Sequence, residues 1–287
     1  MNYKLQKNAT INIKDEKTNW EDKLYDRPRL LQILCLQDKK ILICEIEKDI
    51  IILNQNTFRF LYYIKRRNNS SFCSATQIKS SGNIACCEDS GDISIYSIKK
   101  IPTLIQVINV LSGKKIYKLK EISNDKLISC QYERSIILYE YNQKQDIYNI
   151  SNKVNLGEFI DNIQPTKNND VLLYETIFLD TYHIRILLFD AEKLKVTKEI
   201  ISCKGNGGIY EPFCFLSKSI LSVVIQETIF LLDINKDYSL ITKIESKNSS
   251  RIYSICAFNN NKLVTGDVEG NLILWNFENN SINKIDE

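Results

Sequence analysis

Histidine is almost absent: one residue, His183, in a chain of 287. A single imidazole excludes multi-His zinc and di-iron centres, and zinc fingers needing two His ligands, from being built within this chain. Methionine (one), tryptophan (two), proline (four) and glycine (nine) are also scarce. No Walker-type glycine loop, G-x-S-x-G elbow or H-E-x-x-H helix can be found. Neither sign of charge dominates, with 38 Lys and Arg against 35 Asp and Glu, so bulk charge predicts no nucleic-acid partner. No stretch approaches about 18 uncharged apolar residues, and the N-terminal MNYKLQKNATINIKDEKTNWEDKLYDRPR lacks the apolar core of a signal peptide. A cytoplasmic location is therefore expected. Nine Cys cannot all pair, and a chain of this size needs no disulfide staples.

What the chain does have is 44% hydrophobic and 25% charged residues, the balance of a folded globular protein. Short β-type runs recur along its length between clusters of Asn, Asp, Ser, Lys and Gly, without the long 3.6-residue stripe of an amphipathic helix. The clearest unit, RIYSICAFNNNKLVTGDVEGNLILWNF, reads as strand, turn, strand, Gly-containing turn, and a strand ending at Trp275. Five more units share this grammar. Their third strands end at Leu53, Tyr96, Tyr139, Phe189, Leu232 and Trp275, at intervals of 43, 43, 50, 43 and 43 residues. Those strands (DIIIL, DISIY, SIILY, RILLF, TIFLL, NLILW) are apolar on both faces, as expected of sheets sandwiched between other sheets.

Together, the repeat length, the Glu269-Gly270 turn and the terminal Trp275-Asn276 pair resemble the WD-repeat β-propeller family. In that family each repeat of about 40–45 residues supplies four antiparallel strands to a ring. CCEDSGDISIYS in the second repeat, and Asp190 and Asp233 after their terminal hydrophobes, fit the same frame. The resemblance covers residues 30–287 and implies an all-β propeller of four-stranded antiparallel blades, six readable as repeats. The family's Gly-His pair before the first strand is missing, so its buried His–Asp network cannot form and apolar burial must hold the blades together. The 29 residues before Leu30 are too few for a full blade. They are expected to close the ring, with ATINIKD as an edge strand of the last blade or residues 3–24 as a degenerate seventh blade.

Cys44, Cys87 and Cys130 fall 43 residues apart in successive second strands. A shared repeat position suggests a packing role for a small hydrophobe, not a metal or redox site. His183 stands in no catalytic motif, and Gly205–Gly208 is followed by no helix, so it reads as a connection and not a phosphate loop. The 50-residue interval lengthens the fourth repeat's second and third strands into a hairpin turning near Asp180-Thr181. Its tip residues Phe178, Leu179, Tyr182 and His183 are candidates for a partner contact. Acidic turns carrying Glu47, Asp89, Glu133 and Glu269 are expected on one rim with the blade connections, including Lys65-Arg66-Arg67, where a basic peptide could dock.

With no catalytic constellation, the expected function is a non-catalytic scaffold for protein–protein interaction within a multiprotein assembly, without cofactor, metal or small-molecule substrate. The alternative is a phosphoinositide- or membrane-surface-binding propeller. The paired Arg followed by Gly that marks phosphoinositide-binding propellers is not matched by Lys65-Arg66-Arg67-Asn68, so membrane lipid is the less expected partner. A propeller enzyme, relying on inward-facing His, Asp or Glu, is the weakest reading.

Overall fold

The computed structural model describes residues 30–45, 48–110, 114–123, 125–132, 134–166, 169–178, 180–205, 212–245, 251–259, 261–269, 271–278 and 281–286. They build six sheets, each of four antiparallel strands paired in chain order, spanning 30–64, 72–108, 116–155, 159–204, 213–245 and 252–286. Among the described residues the architecture is a β-propeller of six blades, one for each readable repeat, and the expected alternative of a degenerate seventh blade falls on residues 3–24, outside the described residues. Among the described residues the only helical element is a 3-10 turn, Ile234–Lys236. The ring-closing role expected of residues 1–29 lies outside the described residues. The sixth blade takes its fourth strand, Ser281–Asp286, from the end of the chain.

Burial follows strand order. The third strand of blade two, Ile93–Ser97, buries its first four residues, whereas the fourth, Thr103–Ile108, exposes three of six. Alternate residues of a strand point to opposite faces, so a strand buried at consecutive positions is packed on both. Successive blades share continuous cores. Leu42, Cys44 and Ile52 of blade one meet Phe72, Ala75 and Cys86 of blade two. Cys87 and Ile93 then meet Leu119 and Tyr139 of blade three, and Cys130 and Ile136 meet Ile163 and Val171 of blade four. A larger cluster runs from Tyr174 and Ile186 through Phe213 and Val224 to Ile255 and Trp275 of blade six.

The cysteine column has the packing role expected of it. Cys44, Cys87 and Cys130 are fully buried and take part in no disulfide. Cys87 Sγ points at the carbonyl of Ile116, 3.8 Å away, and Cys44 Sγ at that of Phe72, 4.0 Å away, each the first residue of the next blade's inner strand. Polar groups also bridge the inner strands. Gln32 Oε1 accepts from Ala75 N at 2.9 Å, and Thr76 Oγ1 from Glu121 N at 3.3 Å.

Two third-strand aromatics use one device. The Trp275 indole donates to Thr265 Oγ1 at 2.9 Å, and the Tyr139 hydroxyl shares a 2.9 Å bond with Ser129, each hydroxyl lying ten residues back on the neighbouring strand. The residue after the third-strand hydrophobe serves the outer turn. Asn54, Asp190 and Asp233 each accept backbone N–H bonds from the turn that follows. Replacing Thr265 by Val strands a buried indole N–H without changing shape, so chemical denaturation should show a loss of about 1–3 kcal/mol. Thr265→Ser should lose less.

Candidate functional site

The turns between second and third strands and the connections between blades share one rim, held by backbone hydrogen bonds. Asp89 N donates to Ser71 O, Tyr132 N to Lys115 O, Leu156 N to Arg134 O, Ile252 N to Gln226 O and Val268 N to Arg251 O. In blade two the turn needs glycine. Gly91 has φ +91°, and a Cβ there would lie 2.6 Å from Lys114 O.

Three of the described acidic side chains on this rim brace loops. Glu88, only 2% exposed, accepts from Ser94 and lies 3.6 Å from Arg67 Nη1, which also donates to Ser94 Oγ at 3.1 Å. Burial raises the Glu88 carboxyl above its usual range, opposed by Ser94 and Arg67. Asp89 accepts from Ser70 Oγ and Ser71 N, and Asp49 from Arg66 N. Glu269 is exposed, with its backbone N held by Asp267, and Lys65 is exposed at the end of blade one. Glu47, Glu133 and Leu179 lie outside the described residues.

The fourth-blade hairpin forms as the 50-residue interval predicted. Its second and third strands, Asp170–Phe178 and Tyr182–Asp190, run nine residues each in unbroken register. Part of the extension is anchored: Ile177 and Ile184 are buried, Ile184 in the core shared with blade five. Glu175 and Arg185 face each other across it, with Arg185 Nε donating to Glu175 Oε2 at 2.7 Å. Beyond this anchor, Phe178 is 69% and Tyr182 47% exposed, their rings edge-to-face at 4.9 Å. His183 is half-buried, in register between Ile177 and Lys204.

A second aromatic feature went unread in the sequence. Tyr117 is the second residue of the inner strand of blade three and Phe159 the first of that of blade four, and Tyr132 stands in the turn between the second and third strands of blade three, on the rim. Tyr132 lies 6.1 Å from Tyr117 and 5.7 Å from Phe159, ring centre to ring centre. Cations cap both ends: Arg134 lies 4.6 Å over Phe159 and Lys115 5.9 Å over Tyr117, within cation–π range. The Arg134 guanidinium is also tied to Gly157 O at 2.7 Å. Phe159 pairs with Thr176, two residues before Phe178, so ladder and hairpin tip occupy one rim. Five residues scattered from 115 to 159 make no local motif. The one sequence signal was Tyr132, an aromatic at the turn position that Asp89 holds in blade two and Val268 in blade six.

At the opposite mouth a cavity of about 730 Å³ opens between the ends of the inner strands of blades two to four, lined by Gln77, Lys79, Lys120, Glu121 and Gln164 among others. Glu121 accepts from Lys79 N at 2.8 Å. Among the described residues no group of three His, Cys, Asp or Glu side chains is placed to hold a metal. Burial pushes the thiols up, Cys130 and Cys214 to about 12 and Cys73 to about 11, so they are neutral at physiological pH.

Fold and rim together define a β-propeller whose blades three and four present aromatic side chains beside the turns. No protein-family model and no curated protein matches the sequence. Solved structures do match in fold. The β-propeller domain of Cps50 (Swd1) from Myceliophteria thermophila aligns with a TM-score of 0.68 at 10% identity, over 91% of this chain and 88% of that one. A chain of the Mitotic Checkpoint Complex aligns with a TM-score of 0.67 at 8% identity, over 85% of this chain and 74% of that one.

Two outcomes follow from the buried groups. Arg185→Met leaves the Glu175 carboxylate buried without its partner and should cost about 1–3 kcal/mol in chemical denaturation, below the roughly 3–5 of a wholly buried pair because Arg185 is 32% exposed. Burial also raises the Glu175 carboxyl above the ordinary Glu range. The folded state therefore holds that proton more tightly than the unfolded one, and stability falls as pH rises from the ordinary Glu range through the raised value. Glu175→Gln should remove that slope. Cys44, Cys86, Cys87 and Cys130 should resist maleimide at pH 8 until denaturant is added, which mass spectrometry of the labelled peptides checks.

Proposed function

We propose that the chain is a non-catalytic interaction platform within a multiprotein assembly, engaging a partner through the rim of blades three and four. The observation carrying this reading is the exposed edge-to-face pair Phe178 and Tyr182 at the end of the lengthened hairpin. Large aromatics offer much contact area for little conformational entropy, and such residues concentrate binding energy in interfaces. Behind the tip, Glu175–Arg185 and the buried Ile177 and Ile184 hold the strands, so little ordering cost remains when a partner arrives.

The ladder of Tyr117, Tyr132 and Phe159, with Lys115 and Arg134 at its ends, extends the surface and favours a partner segment that combines apolar and acidic side chains. Docking of a basic peptide on the acidic turns remains part of the proposal at Glu269, Glu47 and Glu133, whereas Asp89 is engaged by Ser70 and Ser71. The non-catalytic element rests on the missing catalytic motifs in the sequence. The two solved structures support the reading only through their shared fold, one being a chain of a multiprotein complex. The phosphoinositide alternative gains no support from Arg67, whose guanidinium is committed to Glu88 and Ser94.

Affinity purification from native cells at moderate salt, comparing wild type with Phe178→Ala/Tyr182→Ala, tests the proposal. A hot-spot pair should cost at least about 2 kcal/mol, roughly 30-fold in affinity, so a partner should be lost while the melting temperature holds. An unchanged set of partners would sink the hairpin as the contact. Liposome flotation with acidic phosphoinositides separates the alternative.

A further inference from the structure

Five of the six junctions between blades are closed by a core cluster spanning both neighbours. Between the sixth and first blades no such cluster exists among the described residues. Repeat-equivalent positions make the contrast quantitative. Ile50, Ile93, Ile136, Ile186 and Ile229 are 0% exposed, each in a core with the following blade, whereas their counterpart Leu272 is 64% exposed. On the inner strands, Ala75, Leu119 and Ile163 are 0% exposed against the preceding blade, but Ile33 of blade one is 55% exposed.

Strand register shows both walls of this junction to be apolar. In blade one the rows Ile33–Ile43–Ile51–Tyr63 and Cys35–Ile41–Leu53–Phe60 share the face turned toward blade six. Ile43, Ile51 and Leu53 are buried, yet their cluster contains no described residue of another blade. In blade six the rows Cys256–Val264–Leu274 and Ser254–Gly266–Leu272 form the facing wall, with Phe258 65% exposed beyond them. A sheet that buries apolar residues on both faces needs cover on both faces.

We infer that residues 1–29 of this chain fill the junction as a wedge of two or three short strands, a partial seventh blade between the sixth and the first. The segment runs directly into Leu30, where the inner strand of blade one begins, so its attachment point already lies at the opening. Its composition fits the walls. Ala9-Thr10-Ile11-Asn12-Ile13 alternates with the period of a strand, and Trp20, Leu24 and Tyr25 supply further apolar area. The outer edge of blade six is the less suitable berth, because Ser281–Asp286 already pairs there. A second copy of the chain, or a strand donated by another protein, are the competing occupants.

Each wall carries an exposed free thiol, Cys35 and Cys256. Maleimide labelling of these two, followed by mass spectrometry, reads the occupant directly. In the full chain both should react at least tenfold more slowly than in a chain starting at Leu30, at a rate independent of protein concentration, and a synthetic peptide of residues 1–29 should restore protection to the shortened chain. Equal rates in the two chains would overturn the inference. Protection that grows with protein concentration would also overturn it, in favour of a second copy. Should the shortened chain fail to fold, Ile11→Asp/Ile13→Asp in the full chain must speed labelling of Cys35 and Cys256. Amides of residues 9–14 must then exchange hydrogen more slowly in the wild-type chain than in the free peptide. Free-peptide rates there would refute the wedge.

Discussion

Each blade buries apolar side chains on both faces, and no sheet of that kind is stable with a face in water. This constraint organises the molecule. It forces the blades to stack side by side, and a ring is the arrangement in which every blade has two neighbours. It also explains why the shared positions are small or shape-matched. The thiols of Cys44 and Cys87 meet carbonyls of the next inner strand, where a larger group would push the blades apart. Interiors at this density transmit strain from one blade to the next, so each junction depends on both its walls.

Loss of the resembled family's histidine leaves the polar content of the blades to be satisfied otherwise. Here hydroxyls do it. Thr265 serves Trp275 and Ser129 serves Tyr139 from the same relative position, while Gln32, Ser74 and Thr76 bond inner strands of neighbouring blades to one another. Such bonds are individually modest but costly to leave unmade, which gives them more weight in fixing register than in adding net stability. In blade two the device lapses, because Cys86 stands ten residues before Tyr96, where blades three and six place Ser129 and Thr265.

These same forces decide what could be read in the sequence. The third-strand column from Leu53 to Trp275 was legible because burial on both faces writes an unbroken apolar run, and the 50-residue interval displayed the hairpin before any coordinates did. Outer strands were not. Ser281–Asp286 has no unbroken apolar run, because a fourth strand pairs along one edge only and hydrogen-bonds through backbone that any side chain permits. The acidic turns were visible as charge, but not their use, since Glu88–Arg67 spans the gap between blades. The ladder of Tyr117, Tyr132 and Phe159 was invisible for a related reason: ring curvature assembles it from two inner strands and a turn.

The hairpin and the ladder also follow from where a propeller tolerates change. Lengthening a second-to-third-strand turn adds residues beyond the rows that face both neighbours, so the extension in blade four adds to one core without displacing any. The register stays unbroken from Asp170↔Asp190 to Phe178↔Tyr182. Inserting the same length in an inner strand would break the rows that face both neighbours. Selection for a contact surface can therefore act on the rim turns at little cost to the fold, provided the first residues beyond the core are anchored. Ile177, Ile184 and the Glu175–Arg185 pair meet that condition. The aromatic pair beyond them stays exposed, which makes the hairpin tip the part of this rim whose chemistry is hardest to explain by folding alone.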